Sequence, residues 1–177
     1  MAGLLIFAAR GADGRWAVLY EVHGGGEGAT AAKDGASAVR VHMSNVMNTP
    51  IEVVEGEYPI MIEEQALRVG SGGDGAHRGG LGFRRAYRVL APEVTLTSML
   101  DRRVVPPYGL AGGRDAAPFR ITLNPGPGER VIRGKETVRL SANDLVVIET
   151  CGGGGYGPPA ERPAELRARD RAEGDDR

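Results

Sequence analysis

Gly70-Ser-Gly-Gly-Asp-Gly-Ala-His-Arg-Gly-Gly-Leu-Gly82, followed at once by Phe83-Arg-Arg-Ala-Tyr-Arg-Val-Leu90, decides between two fold classes. A glycine-rich loop holds a dinucleotide when a strand precedes it and a helix follows, because the helix N-terminus carries the pyrophosphate. Here the residues after the glycines read as a strand. No Gly-Lys-Ser/Thr run occurs anywhere in the chain, so the lysine of a phosphate loop is also missing. The chain therefore reads as β-rich and not as a nucleotide-binding α/β unit.

Working outward, glycine accounts for 28 of 177 residues, against a usual share of about 7%. The glycines gather at Gly24 to Gly28, Gly70 to Gly82, Gly109 to Gly113 and Gly152 to Gly157, with apolar and β-branched stretches between. That spacing predicts strands joined by demanding turns, since glycine reaches positive φ without steric cost. The run Gly152-Gly-Gly-Gly-Tyr-Gly157 also allows backbone to pass close to another surface, here expected to be chain outside these residues. With only three Phe and one Trp, the core is expected to be Val, Leu, Ile and Ala.

Leu4-Leu-Ile-Phe-Ala-Ala9 and Arg15-Trp-Ala-Val-Leu-Tyr-Glu-Val22 flank Asp13-Gly14, a strong hairpin signal. Val39 to Met43 reads as short and extended, and Ile60 to Val69 is favoured as a strand by its length and flanking Pro and Gly although its residues tolerate helix. Further strands are expected at Phe83 to Leu90, Val94 to Arg102, Phe119 to Leu123, Glu129 to Arg133, Glu136 to Leu140 and Leu145 to Glu149. Asn48-Thr-Pro-Ile51 suggests a helical turn, with Thr49 as cap and Pro50 in the first helical position. Pro163 stands where a last, charged helix begins. The expected fold is mostly β (a β-rich α+β), with antiparallel strands joined by Gly-rich loops and a short C-terminal helix. Residues 1–160 form one β-rich unit and 161–177 a charged helical or disordered tail.

Charge narrows the function classes. Lys and Arg number 22 against 23 Asp and Glu, a formal net charge of −1, which recommends neither nucleic acid nor an anionic membrane as partner. The apolar run Gly3 to Ala9 has no basic residue before it and is too short to span a bilayer, so it reads as a strand and not a signal peptide. The single cysteine, Cys151, makes no internal disulfide, and a cytoplasmic location is expected.

His23, His42 and His77 show no paired metal spacing. His42 is the most informative: the run His42 to Glu52 gathers an imidazole, the amides of Asn45 and Asn48, hydroxyls and a carboxylate. Those groups either tie down an irregular loop or face a ligand, with His42 a possible metal ligand. His77, in a glycine loop beside Arg78, reads as a surface or interface residue. Cys151 reads as a buried thiol, no histidine lying near it in sequence. Asp101-Arg102-Arg103 either binds an anion through a guanidinium or forms a local ion pair.

Taken in order, Glu21-Val-His-Gly-Gly-Gly-Glu-Gly-Ala29, Asp34-Gly35, His42-Met-Ser-Asn-Val-Met-Asn-Thr-Pro-Ile-Glu52, Gly70 to Gly82, Asp101-Arg102, Pro106-Pro-Tyr-Gly-Leu-Ala-Gly-Gly113, Lys135-Glu-Thr-Val-Arg-Leu140 and Glu149-Thr-Cys-Gly-Gly-Gly-Gly-Tyr-Gly-Pro-Pro159 resemble the B-subunit motifs of the hydantoinase B/5-oxoprolinase family. The match runs from about Trp16 onward and corresponds to the C-terminal portion of such a subunit. Cys151 stands where the family commonly has proline, and Val46-Met47 replace smaller or polar residues.

The resemblance implies ATP-dependent opening of a small cyclic amide such as an N-methylhydantoin or 5-oxoproline. It also implies that the chain is a C-terminal fragment or split subunit, inactive alone. Its partners would be the N-terminal portion of the B subunit and an A-type subunit that uses ATP and Mg, with a divalent metal held in the missing N-terminal part and no cofactor on this chain alone. A non-catalytic β assembly module and part of a related acetone- or acetophenone-type carboxylase are the alternatives. His42, Asn45, Asn48, Glu52, Asp101 and Arg102 are the expected active-site-proximal residues, with no catalytic residue certain.

Overall fold

The computed structural model describes residues 3–11, 14–40 and 46–173. Nine strands and two short helices follow one another as β1 (Gly3–Arg10), β2 (Trp16–His23), α1 (Ile51–Glu57), β3 (Ile60–Arg68), β4 (Gly82–Val89), β5 (Glu93–Met99), β6 (Arg120–Leu123), β7 (Arg130–Ile132), β8 (Lys135–Ser141), β9 (Leu145–Glu149) and α2 (Ala164–Ala172) among the described residues. They pair into a four-stranded sheet, β2-β1-β5-β8, and a five-stranded sheet, β3-β4-β9-β6-β7. Every pairing is antiparallel. The expected β-rich class with a short C-terminal helix is what the chain adopts.

Alternation explains how the sheets meet. Along β1, Leu5, Phe7 and Ala9 are buried while their neighbours are half-buried, the period of two that a pleated strand imposes. Val94 and Leu96 of β5 and Val138 and Leu140 of β8 continue that inner face. Tyr87 and Val89 of β4, Ile121 of β6 and Val146 and Ile148 of β9 meet it from the other sheet in one apolar cluster. The core is mostly aliphatic, as the composition predicts, with Phe7, Tyr87 and Phe119 as its large members.

Two local expectations need correction. Pro50 stands just before α1 and not inside its first turn, and no side chain caps the helix. Pro50 still serves the start, because its backbone carbonyl accepts from the Val54 N–H at 3.1 Å. The second correction concerns the glycines. Within Gly24 to Gly26, Gly72 to Gly73, Gly79 to Gly80 and Gly152 to Gly155 no residue has positive φ. They are needed for close approach of backbone to backbone.

Segment 151–155 is the axis of that packing. Gly153 N–H donates to Gly80 O at 2.9 Å, and Gly153 O accepts from Gly73 N–H at 2.8 Å. Gly26 N–H donates to Cys151 O at 3.0 Å, Ala29 N–H to Gly154 O at 2.9 Å and Leu110 N–H to Gly155 O at 2.9 Å. One extended segment is thus bonded to neighbours on several sides, which a strand bearing side chains cannot do because alternate directions are occupied. A Cβ on Gly153 would fall on the carbonyl of Glu27, and one on Gly79 on the carbonyl of Gly153. The runs expected to lie against absent chain therefore pack against one another.

The tail is anchored to this bundle. Arg162 reaches Asp170 through Nε at 2.7 Å and Asp34 through Nη1 at 2.9 Å. Burial alone would raise the Asp34 carboxyl, but hydrogen bonds from Arg162 and the Arg78 N–H hold it below its ordinary range.

Candidate functional site

Period-two alternation carries polar groups as well as apolar ones into the interior. On β2 the inward residues are Leu19, Glu21 and His23. On β4 the same face carries Phe83, Arg85, Tyr87 and Val89. The two strands belong to different sheets, so their polar residues meet across the sandwich. Arg85 Nη1 donates to Glu21 Oε1 at 2.9 Å, and the Tyr87 hydroxyl donates to Glu21 Oε2 at 2.6 Å. His23 Nε2 lies 3.0 Å from that hydroxyl. The hydroxyl has one proton and gives it to Glu21, so His23 is the donor in this contact and carries its proton on Nε2. Arg85, Tyr87 and His23 are fully buried.

The electrostatics follow from that burial. Desolvation, with Arg85 and Arg40 nearby, lowers the His23 pKa from 6.5 to about 3, so the ring is neutral at physiological pH. Burial and the Glu21 carboxylate push the Tyr87 hydroxyl well above its ordinary value. Arg40 is lowered by desolvation and by Arg85. The cluster thus holds two guanidinium groups for one carboxylate.

Arg40 also connects the cluster to the segment singled out in the sequence. Its Nη1 donates to Val46 O at 2.7 Å and its Nη2 to Asn48 Oδ1 at 2.6 Å. A cavity of about 120 Å³ beside it is lined by Glu21, Arg40, Val46, Met47 and Thr49 among others. Asn48 does not itself line this cavity; it is tied to the cluster through Arg40. His42 and Asn45 lie outside the described residues. Glu52 is exposed in the first turn of α1.

Asp101 and Arg102 are not drawn to this place by any contact. Asp101 pairs with Lys135 at 3.3 Å, both side chains being exposed, so its ion pair is with the first residue of β8 and not with Arg102 or Arg103. Arg102 is exposed at φ 62°, and its carbonyl accepts from Phe119 N–H. His77 is half-buried, with Nδ1 3.7 Å from Asp34. Cys151 is buried, and burial pushes its thiol up. Among the described residues no group of three or more His, Cys, Asp or Glu is placed to hold a metal.

A second, larger cleft of about 730 Å³ lies between the glycine bundle and α2, lined by Asp74, Arg78, Arg114, Arg162, Asp170 and Arg171 among others. Its arginines are largely committed to structure: Arg162 bridges Asp34 and Asp170, and Arg114 Nη1 lies 3.7 Å from Asp74.

Residues 1–159 match the family model for hydantoinase B/oxoprolinase. The chain belongs to that family. An uncharacterised protein of Methanocaldococcus jannaschii is 45% identical over 153 residues, 86% of this chain and 27% of that protein. The 5-oxoprolinase 1 of Arabidopsis thaliana is 39% identical over 142 residues, 78% of this chain and 11% of that protein. The ATP-dependent caprolactamase of Pseudomonas jessenii superposes with a TM-score of 0.79 at 24% identity, over 97% of this chain and 31% of that one. This chain thus spans less than a third of each of these proteins. No described helix is long and apolar enough to cross a membrane.

Of the site residues, sequence reasoning reached Asn48 and missed Glu21, His23, Arg85 and Tyr87. The missing clue was phase: in Phe83 to Val89 an arginine and a tyrosine share the apolar face.

Proposed function

We propose that this chain is the β-rich C-terminal part of a B-type subunit in an ATP-dependent hydrolase of small cyclic amides, active only with the rest of that subunit and an ATP-using partner. The observation that carries this is the family match over residues 1–159, together with the small share of its relatives that the chain spans. A 5-oxoprolinase and a caprolactamase among those relatives both point to a lactam as substrate. An unstrained lactam is a poor electrophile, and phosphorylation of its oxygen by an ATP-using subunit would supply a better leaving group. On this reading Arg40 and Asn48 form a wall of the active site, and His42, Asn45 and Glu52 approach it as orienting groups. The metal of the hydrolytic step belongs to chain outside these residues.

Co-expression with the neighbouring open reading frames, followed by assay of ATP-dependent hydrolysis of 5-oxoproline, hydantoins and caprolactam, tests the proposal. Turnover of one of them, with ATP consumed in proportion, supports it; an assembled complex silent towards all of them overturns it.

The rival reading, a non-catalytic assembly module, rests on the exposure of Glu52, Asp101 and Arg102, which line neither cavity. Asn48→Ala and Glu52→Ala separate the two. A complex that assembles and turns over at the unaltered rate with both substitutions favours assembly; one that assembles and loses turnover favours a place at the active site.

A further inference from the structure

Arg85 makes one side-chain hydrogen bond, through Nη1 to Glu21, while its Nε and Nη2 have no partner although both are buried. These two N–H groups lie along one edge of the guanidinium plane, the fork that fits the two oxygens of a carboxylate. Arg40 repeats the pattern in part: both terminal nitrogens are engaged and the buried Nε has no partner. His23 Nδ1, the acceptor nitrogen of the ring, is likewise unpartnered. Buried donors are almost always satisfied, and leaving a buried charge unpaired is among the costliest defects a fold can carry. Arg85 bonds Glu21 and Arg40 feels the same carboxylate at longer range, so one carboxylate faces two guanidinium groups and the group that completes the cluster is an anion.

We propose that a second carboxylate binds on the Nε/Nη2 edge of Arg85, its approach running through the neighbouring cavity that Glu21 and Arg40 line and Arg85 does not. The cluster accepts a carboxylate and not a cation, because every unpartnered nitrogen on the two arginines is a donor. Two sources share this chemistry. One is a small carboxylate, which any lactam hydrolase generates when its ring opens. The other is an Asp or Glu side chain of the polypeptide that completes the subunit. The fork stands whatever reaction the complex performs; only the choice of source rests on the proposed function.

The arginine Nε–H resonances of the ¹⁵N-labelled chain report on the fork directly. Sodium formate, with chloride at matched ionic strength as control, should shift the Arg85 Nε–H signal saturably. Arg85→Lys removes that signal and assigns it. If Arg85→Lys fails to fold, Arg40→Gln carries the test: half-exposed Arg40 carries the second positive charge of the cluster, so formate should bind about tenfold more weakly.

The assembled complex distinguishes the sources. An Arg85 signal that moves on assembly and then ignores formate assigns the carboxylate to the partner polypeptide. One that still answers formate, and answers the ring-opened amino acid more strongly, assigns it to the small molecule. An Arg85 Nε–H that responds neither to formate nor to assembly, while exchanging freely with solvent, overturns the proposal and leaves the fork hydrated. None of these signals depends on turnover, so the failure of this proposal and of the hydrolase reading remain separable.

Discussion

The glycine bundle and the Glu21–Arg85 cluster both bury polar groups, and they satisfy them in opposite ways. In the bundle the buried groups are backbone amides and carbonyls, and segment 151–155 pairs them with neighbours on several sides. In the cluster they are charged side chains, and Arg85, Arg40 and His23 keep unpartnered nitrogens. The first region is complete within this chain. The second is balanced by one carboxylate for two arginines. Self-sufficiency here tracks architecture: residues of the bundle hold the fold, and the cluster is where something else is expected to bind.

Breaking the bundle should have the largest effect. Gly153→Ala drives a methyl into the Glu27 carbonyl, and since that neighbour is itself held by hydrogen bonds, the substitution should cost about 4 kcal/mol or more. That is a large part of the stability of an ordinary domain, about 5–15 kcal/mol, so the readout is a steep fall in the urea midpoint, or loss of the cooperative transition. A Gly153→Ala variant that unfolds at the unaltered midpoint would remove close approach as the reason for these glycines.

The cluster should respond next. Glu21→Gln leaves Arg85 buried without its carboxylate and should cost about 3 kcal/mol, measured as a fall in the urea midpoint at pH 7. His23 supplies a pH dependence whose sign is fixed. Its folded pKa of about 3 lies below the ordinary histidine value of 6.5, so between these pH values the unfolded chain binds the extra proton. Stability is therefore intact above about pH 6.5 and falls as the medium is acidified towards pH 3, with a slope approaching about 1.4 kcal/mol per pH unit. His23→Gln should flatten that window in a series of urea melts.

The smallest effect has the opposite sign. Gly56 lies in helix α1 with open space around it and ordinary φ. Gly56→Ala should stabilise by about 0.5–1 kcal/mol. The same substitution thus separates a glycine required by packing from one that is merely tolerated, and a thermal melt decides it.

Much of the sheet architecture was legible because β1, β5, β8 and β9 alternate or run apolar between turn residues. Strand limits differ by one to a few residues: β5 ends at Met99, three residues short of the expected Arg102. The bundle was legible only as an excess of glycine, since a glycine required for positive φ and one required for contact look alike in sequence. Gly14 and Gly157 are of the first kind and Gly79 and Gly153 of the second. The cluster was hidden for another reason. Arg84, Arg85 and Arg88 resemble a solvated basic strand, and only their phase against Phe83, Tyr87 and Val89 shows that Arg85 points inward while Arg84 and Arg88 pair with Glu64 and Glu63. Asn48 was found because amides crowd its stretch, but its partner, Arg40, carried no comparable mark.

The most direct test of the functional account is an omission experiment. ATP-dependent ring opening is measured in a complex reconstituted from the neighbouring subunits with this chain and without it. The account predicts turnover of a cyclic amide only when the chain is present. Equal rates with and without it would contradict the account.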